Sequence, residues 1–294
     1  MGNLPRGKIR EPVTVYWAED TTMNRSLRTA FVLLAATFAA PLSGCVVRAQ
    51  VEPLVRYEGT PVTDSLTYNS NLPLRIHSAN GNVTVVPGGS DKVEVVFSPF
   101  VMGEQGQEEA ARREMDTRLE TFFGGTGELL VEVTQLEGAS GGLGADIEVR
   151  LPASFNGTFE VWQDNGGIDI DLSGTSAAST IVDSDNGSVT VEGARGRLDV
   201  YTDNGSVDMD VDAWSTENGE VRTGNGDITF ALPANVNGKM TATSGSEVIE
   251  QNIPASTWAT AGQSPARSYT MGTGVGGQVD IVTEGLGDIT IIAK

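Results

Sequence analysis

Carboxylate side chains recur at a regular spacing in the middle of the sequence, where Asp164, Asp185 and Asp203 each stand directly before an Asn-Gly pair. If these aspartates lie on neighbouring strands, each solvated pair of carboxylates would repel by about 1 kcal/mol. A Ca²⁺ ion, which takes oxygen ligands, would relieve that repulsion. Turn-forming aspartates on a solvated face explain the same pattern without a metal, and the Gly of Asp183–Gly187 comes one position early for an EF-hand loop. We therefore predict no cofactor and keep the three aspartates as candidate Ca²⁺ ligands.

A second chemistry open to acidic residues is glycoside cleavage, which uses paired carboxylates. The basic residues that would assist them, Arg195, Arg197 and Arg222, occupy variable positions. The sequence contains one His, one Cys and no nucleophile-elbow, P-loop or zinc spacing. We predict a non-enzymatic protein without catalytic residues; the alternative is a carbohydrate-active enzyme, a polysaccharide lyase or hydrolase.

The only cysteine, Cys45, follows a segment with the features of an export signal. Arg25 and Arg28 precede an apolar run over 30–40, which is too short for a bilayer because a span takes roughly 20 residues. The run leads to Leu42, Ser43, Gly44 and Cys45, which resemble the lipobox of bacterial lipoproteins. That resemblance implies a diacylglycerol thioether on Cys45 and cleavage before it. The alternative is a chance cysteine beside an ordinary signal peptide.

These features divide the sequence into segments. Met23 would start a signal of normal length, so we interpret 1–22 as an upstream over-extension of the start codon or as an extended n-region, and 23–44 as the lipoprotein signal peptide. We predict that 45–70 is the lipidated Cys and a tether. Residues 71–294 are predicted to form one β domain.

Charge restricts the partners. The sequence has 19 Lys and Arg against 39 Asp and Glu, a formal net charge of −20, which leaves no basic face for nucleic acid. Unaided binding to anionic lipid is disfavoured for the same reason, so the membrane is reached through the lipid anchor. Val46 stands where many lipoproteins carry the Asp that retains them in the inner membrane, which favours the outer over the inner membrane if the source is Gram-negative. We predict a cell-envelope protein whose partner is an envelope protein or polysaccharide.

An Asn-Gly pair recurs five times, and its last three intervals are 21, 18 and 21 residues. Apolar and polar residues alternate on both sides of each pair, which is typical of half-buried β-strands. His77, Trp162 and Tyr201 share an outward position three residues before Asn, where the two larger rings could stack on a sugar. The repeated turn residues are Asn80, Gly81, Asn165, Gly166, Asn186, Gly187, Asn204, Gly205, Asn225 and Gly226.

The repeat predicts an all-β protein. A period near 20 residues favours a parallel, right-handed β-helix-like solenoid, in which identical rungs stack about 4.8 Å apart and the asparagine amides form a structural ladder. The alternative is an antiparallel meander or propeller-like fold, because Asn-Gly between two strands is also a strong hairpin signal.

One segment departs from the alternation. Residues 107–123 place Ala111, Met115 and Leu119 on one helical face, so we predict a helical insertion over 104–124 that covers the β domain. Residues 254–276, rich in Gly and Pro, are predicted as a loop between rungs.

The strand pair, the helical insertion, the Leu-Pro-x-x-x-Asn-Gly strand start at 151–157 and the repeated strand–Asn-Gly units resemble the DUF4097 family of adhesin-like proteins, which is related to the head-GIN adhesin-like domains. The resemblance covers roughly 72–294. It implies a right-handed β-helix-like body on an envelope protein and no catalytic motif. The predicted function is therefore a lipid-anchored, non-enzymatic, adhesin-like binding or structural module.

Overall fold

The computed structural model describes residues 53–294. The signal peptide, Leu42, Ser43, Gly44 and Cys45 lie outside the described residues, so their predicted roles remain predictions. Within 53–294, no helix has the length and apolar character needed to cross a membrane.

The described chain is nearly all β, with one helix and 22 strands. The first part contains β1 (Val55–Glu58), β2 (Val62–Thr67), β3 (Leu74–Asn80), β4 (Val83–Pro87), β5 (Lys92–Gly103), α1 (Glu108–Arg118), β6 (Leu119–Gly124), β7 (Leu129–Gln135) and β8 (Leu143–Leu151). The middle contains β9 (Thr158–Asn165), β10 (Ile168–Asp171), β11 (Ser179–Asn186), β12 (Val189–Ala194), β13 (Arg197–Asn204), β14 (Val207–Val211), β15 (Gly219–Asn225) and β16 (Ile228–Leu232). The last part contains β17 (Gly238–Thr243), β18 (Val248–Gln251), β19 (Trp258–Gln263), β20 (Ala266–Met271), β21 (Gln278–Thr283) and β22 (Ile289–Ala293).

These strands form two sheets of eleven strands each. Sheet I has the order β1-β5-β8-β4-β10-β12-β14-β16-β22-β18, with β2 also paired to β5. Sheet II has the order β19-β20-β17-β21-β15-β13-β11-β9-β3-β7-β6. We call the two strands that flank one repeated turn a rung, and the four rungs from β9 to β16 the middle rungs.

The two strands of a middle rung belong to different sheets, so they do not form a hairpin. Each strand instead pairs in parallel with the equivalent strand of the next rung, and Val161 is aligned with Val182 and Val182 with Val200. In sheet I, Ile168 is aligned with Val189 in the same way. The antiparallel meander is therefore wrong for the repeated turns.

The inward columns of the repeat form the core between the sheets. Val161, Val200 and Val221 are buried in sheet II, and Val189 and Phe230 are buried in sheet I. Full burial of such a side chain contributes roughly 1.5–3 kcal/mol, and these residues belong to one continuous cluster along the body. The predicted alternation therefore identifies the buried face.

The rung order differs from the chain order at both ends. A solenoid that added rungs in sequence would place β17 beside β15, but β21 lies between them. At the other end, β3 lies between β7 and β9. Apolar alternation fixes which side chains face inward and carries no information on which rung is the neighbour.

The helical insertion is shorter than predicted. Helix α1 ends at Arg118, and Leu119–Gly124 forms β6, which pairs antiparallel with β7 and aligns Phe123 with Val131. Thr121, Phe122 and Phe123 favour a strand once a partner edge is present. Ala111 and Met115 of α1 pack on a small apolar cluster with Val101 and Leu143.

Two segments predicted as irregular contain strands. The predicted tether at 45–70 contains β1 and β2, which both pair antiparallel with β5, and the predicted loop at 254–276 contains the antiparallel pair of β19 and β20. β1 and β2 pair with β5, which comes later in the chain than β3 and β4. β19 and β20 instead pair with each other across Ser264 and Pro265, within a segment whose Gly and Pro residues favour a loop. The local composition therefore did not reveal them.

Candidate binding groove

The repeated asparagines lie at the ends of adjacent strands of sheet II, where their side chains form a ladder of hydrogen bonds. The Nδ2 of Asn165 donates to Oδ1 of Asn80 at 3.0 Å, and Asn186 donates to Asn165 at 3.2 Å. Asn204 donates to Asn186, and Asn225 to Asn204, both at 3.1 Å. Each interior amide both donates and accepts, so the ladder fixes the register of the rungs.

The glycine after each repeated asparagine is required because the backbones of successive rungs approach closely at the turn. Gly81, Gly166 and Gly226 have φ values of 123°, 133° and 152°, in the region that favours glycine. A Cβ on Gly187 or Gly205 would collide with the carbonyl of the preceding rung's glycine. The turn therefore stacks only with glycine at these positions.

A buried polar column behind the ladder was missed by the sequence analysis. Thr202 Oγ1 donates to the carbonyl of Gly187 at 3.0 Å, and Thr223 Oγ1 donates to that of Gly205 at 2.7 Å. Both threonines are fully buried, so each hydroxyl needs a protein partner, and the glycine carbonyl of the preceding rung provides it. A Ser, Thr or Gln stands two residues before each Asn, which is the signal that could have revealed this column: Ser78, Gln163, Ser184, Thr202 and Thr223.

The candidate Ca²⁺ ligands Asp164, Asp185 and Asp203 lie exposed beside the asparagine ladder. Asp203 accepts a hydrogen bond from the hydroxyl of Tyr201. Within residues 53–294, no group of three or more His, Cys, Asp or Glu side chains is arranged to hold a metal ion. Ca²⁺ binding is not tested by this geometry.

A groove of about 420 Å³ lies on the outward face of sheet II. It crosses β9, β11, β13 and β15, whose parallel register aligns Trp162 with Asp183, Asp183 with Tyr201, and Tyr201 with Arg222. Its lining includes Trp162, Ile181, Asp183, Tyr201, Glu220 and Arg222. The buried valines Val182 and Val200 lie directly beneath it, so the groove stands on the packed core.

Both aromatic walls contact basic side chains. The guanidinium of Arg75 lies 5.9 Å from the ring centroid of Trp162, and that of Arg222 lies 5.8 Å from Tyr201. The ring of His77 meets Trp162 edge-on, with centroids 4.7 Å apart. The structure thus gathers the three residues His77, Trp162 and Tyr201 of the outward column on one face.

Nearby acidic groups shift the pKa values of two side chains in the groove. Partial burial, together with the charges of Asp185 and Asp203, raises the pKa of the Asp183 carboxyl above its usual value. The hydrogen bond to Asp203 is the main cause that raises the pKa of the Tyr201 hydroxyl. Excess negative charge therefore collects at the centre of the groove.

The basic residue of the groove, Arg222, and its neighbour Arg197 already have acidic partners. Arg222 forms ion pairs with Glu284 and, at 3.8 Å, with Glu220. Arg197 pairs with Asp199 at 2.6 Å. These partly exposed pairs hold the side chains at the rim, and the arrangement is suited to stacking and charge recognition.

No family model and no curated protein matches this chain, so the DUF4097 resemblance stays a prediction. Among solved structures, a provisionally named cell adhesion protein from Clostridium sporogenes has 14% identity and a TM-score of 0.48, covering 80% of this chain and 100% of its own. A provisionally named adhesin from Bacteroides fragilis has 11% identity and a TM-score of 0.37, covering 79% and 97%. One from Parabacteroides distasonis has 8% identity and a TM-score of 0.30, covering 80% and 98%. These values are too low to assign a family or an activity to this chain.

Proposed function

We propose that this protein is a non-enzymatic, adhesin-like binding module of the cell envelope, anchored by lipid at Cys45, whose binding surface is the groove on sheet II. The observation that carries the proposal is the alignment of Trp162, Asp183 and Tyr201 on adjacent strands of a rigid sheet. Ligand sites combine apolar walls with a few fixed polar groups, and this groove has both.

We also infer that the two sheets are the faces of a right-handed β-helix-like solenoid. The parallel pairing of successive middle rungs and the asparagine ladder support this interpretation.

The groove is tested with the full-length chain and polysaccharide purified from the envelope of the producing cells. The double substitution Trp162→Ala with Tyr201→Ala removes both walls and is expected to weaken retention at least tenfold, because a stacked aromatic contributes roughly 1–3 kcal/mol. Phe122→Ala is the matched control, since Phe122 is half exposed on β6, outside the groove lining. Unchanged retention by the double variant would remove the groove as the binding surface.

The same incubation separates binding from catalysis. A binding module leaves the polysaccharide chain length unchanged, as measured by size-exclusion chromatography. Shortened chains that disappear with Asp183→Asn would instead establish the carbohydrate-active enzyme.

The anchor is tested by metabolic labelling with a radioactive fatty acid. Cys45 is the only thiol in the sequence, so Cys45→Ser is expected to abolish the label and leave the signal peptide attached. Label retained by this variant would exclude the lipid anchor at Cys45.

A further inference from the structure

Charged and aromatic side chains alternate across adjacent strands of sheet II. From β9 to β15 the aligned row has a ring at Trp162, a carboxylate at Asp183, a ring at Tyr201 and a cation at Arg222. On β3, His77 is aligned with Trp162, and Arg75, two residues earlier, places its guanidinium near the Trp162 ring. Each ring therefore has a guanidinium on the strand away from Asp183. On the strand between the rings stands a carboxylate.

Each of the two rings already has a guanidinium group near it, on the side away from Asp183. The two guanidinium groups lie 5.8 and 5.9 Å from the ring centroids, within the range of about 6 Å over which a ring quadrupole attracts a cation. Both Arg residues are also tied to carboxylates, Arg75 to Glu160 at 2.9 Å and Arg222 to Glu284. They are thus fixed at the rim.

The centre of the arrangement has no such cation. Among residues 53–294, Asp183 has no ion pair and accepts no side-chain hydrogen bond, and its nearest charged neighbours include Asp185 and Asp203. The groove lining itself carries Asp183, Asp199 and Glu220 against Arg222 alone. A ligand that enters between the rings therefore meets a net negative field.

The strand of Asp183 lies between the strands of the two rings. Adjacent strands lie about 4.8 Å apart, so the backbones of Trp162 and Tyr201 are about two strand spacings, or roughly 9.6 Å, apart. A group placed over Asp183 therefore lies between the two aromatic side chains. Methylated ammonium groups are suited to such a site because aromatic walls recognise them without a hydrogen bond.

We propose that the groove centre, between Trp162 and Tyr201, binds an alkylammonium group with Asp183 as its counter-ion. The proposal rests on the proposed binding function and adds the chemical class of the ligand. A neutral sugar would use the same rings but would gain little from the carboxylate charge.

The test uses choline and its neutral isostere 3,3-dimethyl-1-butanol, which differ in charge and share nine equivalent methyl protons. Full-length protein in a polyoxyethylene detergent, which carries neither sugar nor ammonium, is titrated with each probe, and binding is followed by saturation transfer to the methyl signal. Choline is expected to bind roughly tenfold more tightly than the isostere. Asp183→Asn is expected to remove this preference, while Asp169→Asn, an exposed carboxylate on sheet I, leaves it unchanged.

Several outcomes would overturn the proposal. Equal binding of choline and the isostere, or an equal loss in Asp169→Asn, would show that no specific cation site exists at Asp183. If neither probe binds but the polysaccharide is still retained through Trp162 and Tyr201, the binding function stands and the ligand class is wrong. Lysine amide and ε-trimethyl-lysine amide, titrated in parallel, show whether a primary or a methylated ammonium is preferred.

Discussion

The middle rungs differ from the two ends of the sheets in how their strands find partners. From β9 to β16 every pairing between rungs is parallel and joins consecutive rungs. At the end of the sheets built from strands before β9, β5 pairs antiparallel with β8, and β6 with β7. At the other end, β20 pairs antiparallel with both β17 and β19. The comparison shows that one repeated register builds the middle, whereas unrelated strands and a helix close exposed sheet edges.

The largest expected effect comes from breaking an inward column of the middle rungs. Val200→Asp places a charge in the buried column between Val182 and Val221, at a cost of several kcal/mol, and is expected to unfold the body. Asp199→Lys, one residue away on the outward face, removes the partly exposed ion pair with Arg197 and is expected to cost no more than about 1 kcal/mol. Equal melting shifts for the two variants would mean that the faces are assigned incorrectly.

The second-largest loss of stability is expected at the end of the body that contains α1. Met115→Ala leaves a cavity between α1 and the buried Val101 and Leu143, which costs about 2–5 kcal/mol in a well-packed site. Because α1 belongs to the end and not to the ladder, hydrogen exchange is expected to quicken in α1 and β6 and to stay unchanged in β11 and β13. Equal loss of protection in β11 and β13 would show that the end and the middle unfold as one unit.

A smaller effect follows from interrupting the asparagine ladder. Asn204→Ala removes one donated and one accepted hydrogen bond, to Asn186 and from Asn225, and is expected to destabilise the protein by about 1–2 kcal/mol. Chemical denaturation measures this change. Asp208→Ala, on the exposed face of β14, is the control. Equal destabilisation by the two substitutions would show that the ladder does not stabilise the protein.

The smallest expected effect concerns pH. The pKa of Asp183 is raised in the folded protein, so this group's contribution to stability is present below its unfolded pKa and is lost as pH rises through the folded pKa. Asp183→Asn is therefore expected to raise the melting temperature slightly at neutral pH and to have no such effect below pH 3.8, the ordinary pKa of an aspartate side chain. Thermal melts between pH 3 and 7 measure the difference, and a variant that is less stable at pH 7 would contradict the assigned direction.

The sequence alone determined the local features of this protein. The alternation around each Asn-Gly pair identified the inward valines such as Val161 and Val200, because a strand places successive side chains on opposite faces. The repeat spacing identified the asparagines that stack, and the outward column placed Trp162 and Tyr201 on one face. These predictions depend only on residues close together in the chain.

The tertiary structure decided the features that depend on distant partners. It placed β21 between β15 and β17, and it joined Asn80 to Asn165 across 85 residues of chain. It also turned the predicted tether and the end of the predicted helix into strands, because an open sheet edge offers hydrogen bonds that local propensity does not include. The position of Asp183 between two rings, each with a guanidinium on its outer side, likewise arises only when five strands lie side by side.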